Sequence, residues 1–66
     1  MENTIRVERA ILKITQDDLA KMIGVSRQTI NSIEANRYVP STVLALKIAK
    51  LFKATVEDLF ILEGNE

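Results

Sequence analysis

The chain has 66 residues, 47% of them apolar, and its nine basic residues balance nine acidic ones. A chain this short hides only about 60% of its unfolded surface, enough for one core, so a single domain over residues 1–66 is expected. With no cysteine and no histidine, disulfides, thiolate or imidazole metal sites and every Ser-His or Cys-His nucleophile pair are excluded.

Residues 4–13 read as a first helix, with Asn3 or Thr4 as cap and no glycine or proline inside it. Ile5 and Leu12 share one face with Arg9 between them, and Val7 and Ile11 form a neighbouring stripe. An arginine amid apolar residues needs a partner if it is buried. Glu34 is the candidate, as the only acid between residues 26 and 53. Thr15 followed by Asp18 is a capping-box variant that opens a second helix over about 16–22. Leu19, Ala20 and Ile23 give this helix its apolar face, and Gly24 suits a left-handed stop. Val25 can tuck back into the core. Ser26 can cap a third helix over 27–34, whose inner side is Ile30 and Ile33.

Two short helices joined by so tight a turn fit a helix-turn-helix. The exposed start of its second helix would present Arg27, Gln28, Thr29, Asn31 and Ser32, side chains that hydrogen-bond base edges and phosphates. Asn36 tolerates a positive φ and can end that helix, and Pro40 keeps the chain extended. Arg37 and Tyr38 then lie in an exposed loop within reach of phosphate oxygens. Tyr38 has an alternative role as a ring covering the edge of the core.

Ser41 can cap a fourth helix over 42–52. Val43, Leu44, Leu46, Ile48, Ala49, Leu51 and Phe52 make it apolar around much of its circumference, as in the central helix of a small bundle, with Lys47 and Lys50 on the wet side. Thr55 and Asp58 repeat the capping box and start a fifth helix over 56–61. Leu59 and Phe60 should close the core. The run Phe60, Ile61 and Leu62 exceeds what one small domain covers and is the expected subunit interface. The reading is all-α, five helices with short connections.

Zero net charge hides a polarised chain. Residues 26–53 carry five basic groups and one acid, whereas residues 54–66 carry four acids and no base. A basic middle that coincides with the third helix can face phosphates. No apolar run approaches the roughly 18 residues of a membrane span. The opening MENTIRVER has no signal-peptide apolar region, so a cytoplasmic protein is expected.

The run TQDDLAKMIGVSRQTINSIE, followed by NRYVPS and ALKIAKLF, resembles the Cro/CI-type (xenobiotic-response-element) helix-turn-helix regulators over about Ile5 to Phe60. It is most similar to the small stand-alone members. The resemblance implies a lambda-repressor-like five-helix domain that binds double-stranded DNA as a homodimer; the residues themselves give no sign of a cofactor, metal or small-molecule ligand, and none is expected. It implies that Gln16 bonds a phosphate and braces the recognition helix, and that Arg27, Gln28 and Ser32 face bases. Thr29 would lie near the backbone or a thymine methyl, with Asn31 beside it, and Arg37 would hold a phosphate. Arg9 and Glu34 match a buried structural ion pair. Asn36 replaces a common glycine, and Glu8 a common leucine.

The leading expectation is a sequence-specific transcriptional regulator, a repressor on a pseudo-palindromic operator. The alternative is an antitoxin or protein-interaction module on the same fold, using the acidic, apolar tail; the polar recognition face, which lacks apolar anchors, speaks against it. An enzyme is not expected. The acid pairs Asp17-Asp18 and Glu57-Asp58 sit in first helical turns, where capping and the helix dipole account for them, and there is no glycine-rich phosphate loop.

Overall fold

A computed structural model describes all residues, 1–66. Five helices run in order: α1 (Ile5–Leu12), α2 (Gln16–Ile23), α3 (Arg27–Glu34), α4 (Thr42–Phe52) and α5 (Val56–Leu59). Two short strands, β1 (Glu2–Asn3) and β2 (Phe60–Ile61), pair antiparallel with Glu2 opposite Ile61 and Asn3 opposite Phe60. The chain is all-α in class, its two ends tied by this ribbon. No helix is long and apolar enough to cross a membrane.

Local chemistry sets the helix starts. The Thr15 and Thr55 hydroxyls accept from the amides of Asp18 and Asp58, whose carboxylates accept in turn from the threonine amides. Ser26 and Ser41 cap α3 and α4 through the amides of Thr29 and Leu44. Each reciprocal box satisfies two backbone donors that a helix otherwise leaves open. At α1, Thr4 occupies the cap position but its side chain makes no cap bond. Asn3 Oδ1 accepts from the Ile5 amide at 3.2 Å instead.

Every helix sends at least one fully buried side chain to the centre: Ile5, Leu19, Ile30, Ile33, Ile48 and Leu59. Ala20, Ile23, Leu44, Ala45, Ala49 and Phe60 complete a single core, and Val25 packs half-buried against it. The small residues Ala20, Ala45 and Ala49 leave room for neighbouring helices to come close. The N-terminus is fastened to this body by the Thr4 amide on the Leu59 carbonyl at 2.9 Å and by Asn3 Nδ2 on the Ile33 carbonyl at 2.8 Å.

Five expectations need correction. The first helix begins at Ile5 and ends at Leu12, and the second runs one residue further, to Ile23. The fifth stops at Leu59, because Phe60 turns extended to pair with Asn3. Leu12, expected on the inner face with Ile5, is half exposed, and Val7 and Ile11 point to solvent as well. On α4, Val43 and Leu46 are also exposed, so this helix is buried along one stripe, through Leu44, Ala45, Ile48 and Ala49.

Candidate nucleic-acid interface

Burial of Ile30 and Ile33 against Leu19, Ala20 and Ile23 fixes how α3 is rotated. Its other face is turned outward. Arg27, Gln28 and Asn31 line one shallow depression on it. Ser26, Gln28, Thr29, Ser32, Arg37 and Tyr38 line a second. A third joins Arg27 to Thr15, Gln16 and Asp17 at the start of α2. The structure thus gathers all eight expected DNA-facing residues around the exposed side of α3. Ser26 belongs with them, although its sequence reads only as a cap; its hydroxyl bonds the Thr29 hydroxyl at 2.9 Å.

An ion pair lies behind this face. Arg9 holds Glu34 with two bonds, Nε to Oε2 at 2.6 Å and Nη2 to Oε1 at 2.9 Å, while its Nη1 donates to the Ile14 carbonyl. The Glu34 side chain is 2% exposed. Gln16 Nε2 adds a bond to Glu34 Oε1 at 3.2 Å, so α1, α2 and α3 meet at one carboxylate. Burial alone would raise the Glu34 pKa. The hydrogen bonds from Arg9 and Gln16, with the charges of Arg9 and Arg6, outweigh it, and the carboxyl is held below the usual glutamate range. Glu34 is therefore a fixed anion at neutral pH, with a planar guanidinium matched to it.

Two site expectations change. The basic middle of the chain is divided: Arg27 and Arg37 lie at the α3 face, but Lys47 and Lys50 line a separate groove with Met22, Ile23 and Leu51. The apolar run at the C-terminus is divided too. Phe60 is a core residue, packed inward by the turn into β2, and only Ile61 and Leu62 remain exposed for an interface. Tyr38 serves two surroundings: it borders the α3 groove and a narrow crevice shared with Met1, Ile33 and Phe60.

The helix-turn-helix family matches residues 5–59. The chain is similar to an uncharacterized HTH-type transcriptional regulator of Methanocaldococcus jannaschii, 53% identical over 66 residues and covering all of both chains. It is also similar to a protein of the same description from Archaeoglobus fulgidus, 48% identical, over all of this chain and 94% of the relative. A third such protein, from Bacillus subtilis, is 46% identical over 63 residues, 96% of each chain.

Proposed function

Because the chain belongs to the Cro/CI-type helix-turn-helix family of DNA-binding transcriptional regulators, we propose that it is a repressor that binds a pseudo-palindromic operator as a homodimer. One observation carries this reading: α3 is locked by Ile30 and Ile33 with Arg27, Gln28 and Ser32 turned outward. A helix so presented fits the major groove. Arg27 pairs with guanine and Gln28 with adenine, the two side chains best matched to those base edges. Ser32 faces the same groove, and Thr29 lies against the backbone or a thymine methyl. Gln16, Arg37 and the Tyr38 hydroxyl hold phosphates, which set register and supply the salt-dependent part of affinity. Ile61 and Leu62 join the two protomers. The expected site of action is the cytoplasm, with the DNA.

Selection of duplexes from a random pool by the purified protein tests the reading. The expected result is an enriched palindrome with half-site centres about 34–36 Å apart. Arg27→Ala is expected to lose about 1–3 kcal/mol of discrimination at one base pair of each half-site. No enrichment at all would sink the regulator reading, and copurification with a second protein would then favour an antitoxin role.

A further inference from the structure

Asn31 sits on α3 four residues after Arg27, on the face turned to the groove. By position alone it is a base reader. Its carboxamide, however, is engaged at both ends by the protein. Oδ1 accepts from Arg37 Nη2 at 3.0 Å, and Nδ2 points to Gln16 Oε1 at 3.5 Å. Gln16 in turn donates to Glu34, which Arg9 fixes. One polar chain thus runs from the buried ion pair, through Gln16 and Asn31, to the guanidinium of Arg37. An asparagine that reads adenine needs both ends of its amide for the base; here both are directed to neighbours.

Resting on the regulator reading above, we propose that Asn31 is a positioning residue: it spans the recognition helix and holds Gln16 on one side and Arg37 on the other in place for two phosphates. Arg37 is a long, exposed loop side chain with no carboxylate partner. Left free it would sample many rotamers, and fixing it in advance removes that entropy from the cost of binding. The same amide orients Gln16, whose own Nε2 is held by Glu34. Sequence specificity then falls to Arg27, Gln28 and Ser32, and Asn31 sets how firmly the backbone is held, whatever the bases.

The test uses the full chain, the duplex obtained by selection and a panel of its single-base variants. Asn31→Ala is expected to weaken binding to every duplex by the same factor, about tenfold, the lower end for a hydrogen bond to a charged group. The ratios among duplexes stay as in the parent protein. The salt dependence becomes shallower, by about 0.9 in the log–log slope, for the one phosphate that Arg37 neutralises; Gln16 carries no charge and leaves the slope unchanged. Arg37→Ala reproduces this pattern, and the double variant loses little more than either single one, because the two side chains act as a unit. Asn31 is exposed, so thermal unfolding of Asn31→Ala should match the parent. If Asn31→Ala instead abolishes preference at one base pair with the salt slope unchanged, Asn31 reads a base and the proposal is wrong. Unchanged affinity for every duplex would overturn it equally. A parent protein that selects no duplex defeats the regulator reading itself, and this proposal with it.

Discussion

Glu34 shows how one side chain ties stability to the exposed face of α3. Arg9 gives it two bonds and Gln16 one, and the more distant Arg6 lies 3.9 Å away. Its pKa lies below the usual glutamate range in the fold. A depressed carboxylate contributes stability that is fully present above its unfolded pKa and is lost as pH falls through the folded value. Acid unfolding of the parent protein should therefore include Glu34, alongside Asp18, whose carboxylate is lowered by its bonds to the Thr15 amide and hydroxyl. Glu34→Gln leaves the part-buried Arg9 without its counter-charge and is expected to cost about 3 kcal/mol near neutral pH, the lower end for a buried pair. A domain of this length has roughly 3–10 kcal/mol in total, so the variant keeps little reserve. Urea unfolding at several pH values measures both effects; an acid slope as steep in Glu34→Gln as in the parent would assign the acid sensitivity to the other carboxylates. The pairing of Arg9 with Glu34 was legible in the sequence, because an arginine among apolar residues demands an acid and few were available. The position of Gln16 against Glu34 was not, since an uncharged side chain in a first turn gives no sign of the partner it turns to.

At the scale of elements, four helices stop by one device. After α1, α2, α3 and α4 the chain passes through a left-handed residue: Lys13, Gly24, Asn36 and Lys53. In each case the next amide reaches back five residues, from Ile14 to Arg9, Val25 to Ala20, Arg37 to Ser32 and Ala54 to Ala49. This is the closure that satisfies the last free carbonyls of a helix, and glycine is its usual residue. Gly24 and Asn36 announced their stops in the sequence. The two lysines did not, because nothing in a lysine favours positive φ. What could have revealed them is the pattern around them, Lys-Ile-Thr-Gln-Asp-Asp and Lys-Ala-Thr-Val-Glu-Asp, in which a helix stop runs straight into a capping box. Lysine held left-handed costs about 1–2 kcal/mol, whereas glycine adds about 0.5–1 kcal/mol of unfolded-state freedom. Lys53→Gly is therefore expected to stabilise the protein modestly, by about 0.5–1 kcal/mol on balance. Thermal unfolding reads it directly, and a lower melting temperature would mean that the Lys53 side chain itself contributes to the fold. The end of α5 was illegible for a different reason. Leu59-Phe60-Ile61-Leu62 is apolar throughout and has no period, so only the distant partner strand at Glu2–Asn3 decides that the chain turns extended after Leu59.

On the scale of the whole molecule, periodicity identified which residues are apolar on each helix but not which stripe would be covered. A 66-residue body has one interior, and α1 and α4 each carry more apolar surface than it can hold. Besides Val43 and Leu46 on α4, two exposed apolar regions stand out: Val7, Ile11 and Leu12 on α1, and Ile61 and Leu62 at the C-terminal strand and just beyond it. They are competing candidates for the subunit contact. The proposed homodimer uses the second, and the two can be separated by charge substitution. Leu62 is 70% exposed and Ile11 66%, so a carboxylate at either position should leave the fold intact. At a subunit contact the same carboxylate would be buried without a partner and would oppose association. Leu62→Glu is expected to shift sedimentation equilibrium to the monomer. With the palindromic duplex it would bind each half-site separately and lose the avidity that two linked sites supply, commonly a factor of about 10²–10⁴. Ile11→Glu is expected to leave both the dimer and its affinity unchanged. The reverse result, dissociation by Ile11→Glu alone, would move the interface to α1. A parent protein that stays monomeric at the concentrations where it fills the whole operator would remove the dimer from the mechanism.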